Sequence, residues 1–430
     1  VATILLCSTP LYGHVAPLIA LGRRLADEGH HVIVLTGSSF EERVHDAGLH
    51  HEPLTGRADF DERDEASFLP DLHRHRGLAL SRYQVEQTFV VTIPEQHRAV
   101  RAILDREWVD LVLTDSFFAG ILPLLETDPA SRPPILGVGI GPLVQVSRDV
   151  APFNTALPPS STAVGRLRNR ALNFLVARLL FAKTQRLGTR LVEEAAGVPL
   201  RTFVLDFTAA FDRFVQLGPA EFEYPRTDLS PNVVFAGPIP QAPGATALPE
   251  WWADLDGSRP VVHVTQGTLD NHDLAKVVRP TLEALAHEDV LVVVSTGRAP
   301  LSSLGPLPTN ARAAEFLPYE QLLPLTSVMV TNGGFGGTLL ALSHGVPLVV
   351  AGAAEDKPEV AARVAHFGVG VDLKSGRPTA AALHTAITTV LREPLYRERA
   401  VGMAASISRY SALDTIVGEV RRLLPQRRSD

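Results

Sequence analysis

The chain has 430 residues, a formal net charge of −7, and 45% hydrophobic against 20% charged residues. That length holds two or three domains, and the balance is that of an ordinary globular protein. The acidic balance and the lack of a concentrated basic stripe argue against a nucleic-acid binder, and a single cysteine, Cys7, excludes internal disulfides and cysteine metal clusters.

No run of about 18 apolar residues occurs, so no membrane span is expected and a cytoplasmic location fits. Residues 1–9 are apolar, but they are too short for a signal peptide and lack its charged leader. The chain opens on Val1, and a few removed leading residues are the expectation.

In chain order, Ala2–Ser8 reads as a strand and Thr9–His14 as a turn. Val15–Glu28 reads as a helix with Pro17 in its first turn, and His31–Thr36 as a second strand. This βαβ start implies a parallel sheet. Phe40–Ala47 is a short helix, 56–75 a charged irregular loop, and Leu78–Arg106 one or two helices around Pro94. Leu111–Thr114 is a strand ending at Asp115, and Pro134–Ile140 another. Residues 142–162 are rich in Pro, Ser and Ala and read as loop. Val164–Glu194 is a long helix of basic and apolar character. It reads as a cover or core helix, with a membrane-surface helix as the alternative. Residues 218–250 are proline-rich and aperiodic, which marks a linker.

The second half repeats the pattern. Pro260–Thr265 is a strand followed by Gln266-Gly267-Thr268, Asp273–Ala286 a helix, and Val290–Ser295 and Ala313–Phe316 strands. Val328–Thr331 is a buried strand. Asn332-Gly333-Gly334-Phe335-Gly336-Gly337-Thr338 then leads into a helix over Leu339–His344, and a strand over Pro347–Ala351 precedes the polar Glu355-Asp356-Lys357. Thr379–Arg392 and Leu395–Leu424 close the chain as helices.

The glycine turn is specific about ligand type. Glycines let backbone N–H groups approach a ligand and adopt positive φ. A helix N-terminus adds partial positive charge, which suits phosphate. Asp356 after the next strand would sit beside that site and can accept bonds from two vicinal sugar hydroxyls. The pattern is neither G-x-G-x-x-G nor a P-loop. Asp254-Leu255-Asp256 and Asp59-Phe60-Asp61 spell D-x-D but follow no apolar strand, so they read as solvated. His73-Arg74-His75 lacks a further ligand, and His30-His31 and His50-His51 read as surface. No metal site is expected.

Gly13-His14-Val15-Ala16-Pro17, Gln266-Gly267-Thr268, Phe316-Leu317-Pro318-Tyr319 and residues 331–361, in that order, resemble the nucleotide-sugar-dependent glycosyltransferases of the GT-B fold. The likeness is to the bacterial macrolide and natural-product glycosyltransferases and to the UDP-glycosyltransferases, and it spans essentially the whole chain. It implies an α/β protein of two Rossmann-like doubly wound domains facing across a cleft. The expected division is an acceptor-binding domain at 1–217, a linker at 218–250 and a nucleotide-sugar-binding domain at 251–410. A C-terminal helix and tail at 411–430 follow, the helix placed where it can pack back on the first domain.

The resemblance implies an inverting, metal-independent transfer with no cofactor beyond the co-substrate, UDP-glucose favoured and a TDP-sugar the alternative. His14 matches the base, and Asp115 is the candidate to orient it. Gln266, Gly267, Thr268, Phe316, Leu317, Asn332, Gly333, Gly334, Gly336, Gly337, Thr338, Glu355, Asp356 and Lys357 are the candidate donor site, with Phe316 matching the residue that stacks on uracil. Tyr12, Phe117, Phe118, Leu143 and Phe153 are acceptor candidates for a small hydrophobic molecule. Asn332 stands where the family usually has histidine, and Lys357 where it has glutamine. The first can give a phosphate one N–H but no charge, and the second can donate to a hydroxyl but not accept. A non-catalytic nucleotide-sugar-binding partner, or an epimerase of the same fold, are the alternatives. A monomer or homodimer is expected.

Overall fold

The computed structural model describes residues 1–240, 247–267, 271–297 and 299–424. Among them are two all-parallel sheets. The first contains β1 (Thr3–Cys7), β2 (His31–Thr36), β3 (His50–Pro53), β4 (Leu111–Asp115), β5 (Ile135–Gly139), β6 (Arg213–Gln216) and β7 (Val233–Phe235), in the order β3-β2-β1-β4-β5-β6-β7. The second contains β8 (Val261–Thr265), β9 (Leu291–Ser295), β10 (Ala311–Ala314), β11 (Val328–Thr331), β12 (Leu348–Val350) and β13 (Gly370–Asp372), in the order β10-β9-β8-β11-β12-β13. Both are doubly wound, as the alternating strand and helix pattern requires.

The strands are unbroken apolar runs because helices cover both faces of each sheet. Val292, Val293 and Val294 are each buried to within 1%, and full burial of a valine is worth about 1.5–3 kcal/mol. One side of the first sheet packs Leu5, Ile33 and Val112 with Ile93, Val100 and Ile103. The other packs Ile4, Leu6 and Val34 with Leu18, Leu21 and Leu25 of helix Tyr12–Asp27.

Several expectations need correction. The first helix starts at Tyr12, because Leu11 is extended and its carbonyl already accepts from His14 and Val15. Pro17 is therefore inside the helix, and His14 sits in its first turn. The 164–194 segment is not one helix. It runs as Ala163–Leu175, a wider turn at Val176–Leu180, and Ala182–Ala196 after Phe181 leaves helical geometry. The helix of the glycine turn starts at Phe335 rather than Leu339. β10 ends at Ala314, leaving Phe316 outside it. β3, β7 and β13 are too short to show a period, and β7 lies inside the stretch expected to be a linker. His51 is buried in β3, and its Nε2 lies 3.3 Å from the Gly37 carbonyl.

Helix Ala412–Leu423 packs on the first sheet. Ile416, Val417 and Val420 join its core, and Arg213 reaches Glu419 at 2.7 Å. The two halves also meet through a buried charge cluster. Arg363, 1% exposed, donates to Glu223 at 2.6 Å and to Glu359 at 2.8 Å, and Arg226 donates to Glu223 at 2.9 Å. The Arg363 guanidinium lies 4.2 Å from the Tyr224 ring centre. Glu223 Oε2 accepts from Leu143 N–H, and Glu359 Oε1 accepts from Ala156 N–H. Burial alone would raise the Glu223 carboxyl, but the Arg363 and Arg226 charges overcome it and hold it at about 2.

Two outcomes follow from this cluster. Arg363→Leu strands the buried Glu359 carboxylate and leaves Glu223 with Arg226 alone, and should cost about 3–5 kcal/mol in a urea melt at neutral pH. Glu223 titrates at 4.5 when free and about 2 when folded. Its contribution is therefore present above the free value and lost as pH falls through the folded one. Melts of Glu223→Gln against pH should show a flatter acid limb than the unsubstituted chain.

Candidate functional site

In the first sheet β1 and β4 are adjacent, and their following connections leave in opposite directions. The crevice at their carboxyl ends is a topological switch point, where α/β sheets bind ligands. Asp115 ends β4 there, fully buried. Its Oδ2 accepts from Thr9 N–H at 2.7 Å and its Oδ1 from Phe117 N–H at 2.7 Å. Oδ1 also lies 3.2 Å from His14 Nδ1. Two backbone donors thus satisfy a fully buried carboxyl group, and it faces one ring nitrogen. Burial and then the Asp115 charge push the neighbouring Cys7 thiol well up, so that sulfur is inert. The His14 ring stacks on Phe89 at 6.1 Å and tilts against Phe117 at 5.6 Å. With Nδ1 engaged and the ring flanked by aromatics, Nε2 is the nitrogen left for chemistry.

The second sheet repeats the device. β8 and β11 are neighbours, with Thr265 opposite Thr331, and Gln266-Gly267 and Asn332-Gly333 leave the paired strand ends together. Gly333 has φ +87°, and an added Cβ there would lie 2.6 Å from Val350 Cγ1, so only glycine fits. Gly334 caps helix Phe335–Ser343. An added Cβ at Gly334, Gly336 or Gly337 meets nothing within 4 Å, so this helix start opens onto free space. Thr338, fully buried in the first turn, keeps its Oγ1 without a partner among the described residues. Phe335 instead crosses to the first half, where its ring leaves 3.2 Å for a Cβ at Gly218.

Asp356 faces the first half, its Oδ2 3.6 Å from where a Gly141 Cβ would stand. Burial raises its carboxyl, Lys357 opposes that, and His14 is close enough for its charge to favour the ionised form. The structure therefore brings His14, Asp115, Gly141 and Asp356 together across the cleft. Lys357 Nζ is paired with Glu355 Oε2, so its charge arrives partly neutralised. Glu355 holds φ +56°. Phe316 is 51% exposed, available for stacking rather than core.

Other candidates sit differently. The Gln266 side chain turns inward, its Oε1 accepting from Val277 and Val278 N–H and its Nε2 donating to the Asp273 carbonyl. Asn332 donates to the Gln266 carbonyl at 2.6 Å, spending one N–H on joining the strand ends. Leu317 is core with Val261 and Leu322. Phe118 and Leu143 are core too, at 0% and 2% exposure, because alternation after Phe117 turns Phe118 away. Tyr12 lies under the Arg43 guanidinium, its N–H bonded to Glu62. Phe153 is half-buried, and no ring contact joins it to His14 among the described residues. Thr268 lies outside the described residues. A cavity of about 330 Å³ crosses the cleft between Arg63 and the Asn271, Asp273 and Arg279 side, without reaching His14.

Two site residues were missed by sequence reasoning. Phe89 lies in a π-type turn at Glu86–Val90, a local distortion with no residue signature. Gly141 had one: Gly-Pro directly after a predicted strand.

The chain matches the model of the glycosyltransferase family 28 N-terminal domain over residues 12–127, and that of the erythromycin biosynthesis protein CIII-like C-terminal domain over residues 279–421. It is 38% identical to 4'-demethylrebeccamycin synthase of Lentzea aerocolonigenes, covering 97% of this chain and 98% of that one. The chain belongs to the GT-B glycosyltransferases. The glycosyltransferase is also 34% identical to UDP-glycosyltransferase 2 of Phaeomoniella chlamydospora, over 98% and 95% of the two chains. Its fold superposes on the calicheamicin glycosyltransferase CalG4 with a TM-score of 0.75 at 20% identity, covering 100% and 99%. Among the described residues no acidic, histidine or cysteine cluster could hold a metal, and no helix is long and apolar enough to cross a membrane.

Two glycines separate fold from site. Gly333→Ala forces an L-residue into left-handed backbone, costing about 1–2 kcal/mol before the Val350 clash is counted, and should lower the melting temperature. Gly336→Ala meets open space on a helix, where alanine is better than glycine by about 0.8–1 kcal/mol, and should raise it. Thermal melts of both variants check this.

Proposed function

We propose that this glycosyltransferase moves a hexose, glucose by preference, from a nucleoside diphosphate sugar to a hydroxyl of a small apolar natural product, with inversion and without a metal. The observation that carries the reading is the His14–Asp115 pair facing the open helix start and Asp356 across one cleft.

In this reading the acceptor lies on the first half beside His14, Phe89 and Phe117. Its hydroxyl gives its proton to His14 Nε2 as the oxygen attacks the anomeric carbon. The anomeric carbon–phosphate oxygen bond breaks, and the nucleoside diphosphate departs with the electron pair. Asp115 holds Nδ1–H and balances the imidazolium charge. The backbone N–H groups at Gly334, Gly336 and Gly337, the helix dipole and the unpartnered Thr338 hydroxyl receive the diphosphate. Asp356 accepts from sugar hydroxyls, and Phe316 offers the base an exposed ring. A single displacement on one face of the sugar gives inversion. The names of the two relatives support a UDP-linked donor and a natural-product acceptor, and a TDP-sugar is the alternative donor.

The test pairs binding with turnover. UDP- and TDP-sugars should raise the melting temperature of the chain and of His14→Ala alike. Turnover with pooled phenolic and macrolide acceptors should fall about 10²–10⁴-fold in His14→Ala. A product anomer identical to that of the donor would overturn the inverting displacement. Gly336→Ala should weaken the donor-induced shift without lowering the unliganded melting temperature.

A further inference from the structure

Helix Ala163–Leu175 and the Val176–Leu180 turn carry their polarity inside out. The buried side holds Gly165, Asn169 and Asn173. Asn169 Nδ2 donates to the Arg148 carbonyl at 3.1 Å, and Asn173 Nδ2 to the Ser147 carbonyl at 3.1 Å. The outer side holds Val164 (80% exposed), Leu167 (68%), Phe174 (65%), Leu175 (40%) and Leu179 (64%). At 100° per residue, Val164, Leu167, Phe174 and Leu175 fall on one stripe, with Arg168 and Arg170 on its two borders. A helix that hydrogen-bonds its asparagines inward and shows leucine and phenylalanine outward is not using that face for its own core. An exposed apolar stripe of this kind marks an interaction surface.

The charge around the stripe selects the occupant. Residues 150–192 contain no Asp or Glu, yet hold seven basic residues, in a chain of net charge −7. Arg166 is committed to Asp149 at 2.6 Å. Arg170, Arg178, Lys183 and Arg186 are exposed and form no ion pair among the described residues. A second copy packed symmetrically would set these cations against their own images, so charge disfavours a dimer here. An apolar stripe bordered by arginines and lacking acids fits an anionic lipid surface, with the side chains in the interface and the guanidinium groups at the headgroups.

We infer that the Ala163–Leu180 segment docks the protein on anionic membranes as a surface helix. This docking does not depend on the reaction assigned above. The helix hangs from the loop carrying Gly141 and Ala156, so a docked molecule holds that loop near the lipid.

The experiment is co-sedimentation of the full chain with phosphatidylcholine vesicles, with and without phosphatidylglycerol, at low and high salt. The chain should pellet with the anionic vesicles only, and less at high salt. Phe174→Glu with Leu179→Glu, and separately Arg170→Glu with Arg178→Glu, should each weaken binding at least about tenfold. All four residues are exposed, so the melting temperature should not change, and a melt of each variant confirms that it is folded. Absence of vesicle binding, equal binding by folded variants, or a dimer in light scattering that Phe174→Glu dissolves would overturn the proposal, the last by assigning the face to a second copy.

Discussion

The cleft depends on the buried contact between Arg363 and its two carboxylates. Glu223 comes from the connection between β6 and β7 of the first sheet and Glu359 from the first turn of the helix that opens at Lys357. Neither charge could be buried alone, because desolvation would exceed any local gain. With Arg226 the cluster holds two acids and two bases, and its remaining lone pairs reach the Leu143 and Ala156 N–H groups. One neutral knot therefore fixes both the loop on the first half and the helix behind Asp356. Asn154 and Ala156 hold positive φ in that loop, which is strain that the surrounding contacts must offset.

Asp115 plays the matching part within the first half. A carboxylate with no exposure needs donors, and it finds them in the Thr9 and Phe117 N–H groups at two adjacent strand ends. The Oδ1 that accepts from Phe117 also faces His14 Nδ1. The imidazole is then limited on one nitrogen by charge and on its faces by Phe89 and Phe117. Across the cleft, the glycine turn achieves openness by the opposite means, having no side chain at Gly334, Gly336 or Gly337. Phe335, the one bulky residue within it, is withdrawn onto Gly218.

The likeness between the halves is physical rather than textual. In both sheets the site lies where neighbouring strands, β1 with β4 and β8 with β11, send their chains to opposite sides. That arrangement creates a crevice whatever side chains line it. One crevice presents a histidine and an aspartate, and the other an open run of glycines at a helix start.

The amino-acid sequence by itself determined the alternation of apolar strands and amphipathic helices, because steric preference and hydrophobic period act within a few residues. It also determined the chemistry offered at the strand ends: His14, Asp115, the glycine run and Asp356. Short β3, β7 and β13 lacked enough residues to show a period. Tertiary structure alone decided that Gln266 and Asn332 spend side-chain bonds on the scaffold, that Phe118 and Leu143 are core, and that Phe89 flanks the histidine. It alone decided that Leu167, Leu175 and Leu179 face outward, where the pattern allowed a cover or core helix as well as a surface one. The reason is common to all of these: each outcome rests on partners roughly 10 to 140 residues away in the chain. Such contacts are chosen by how preformed elements pack, which no local preference encodes.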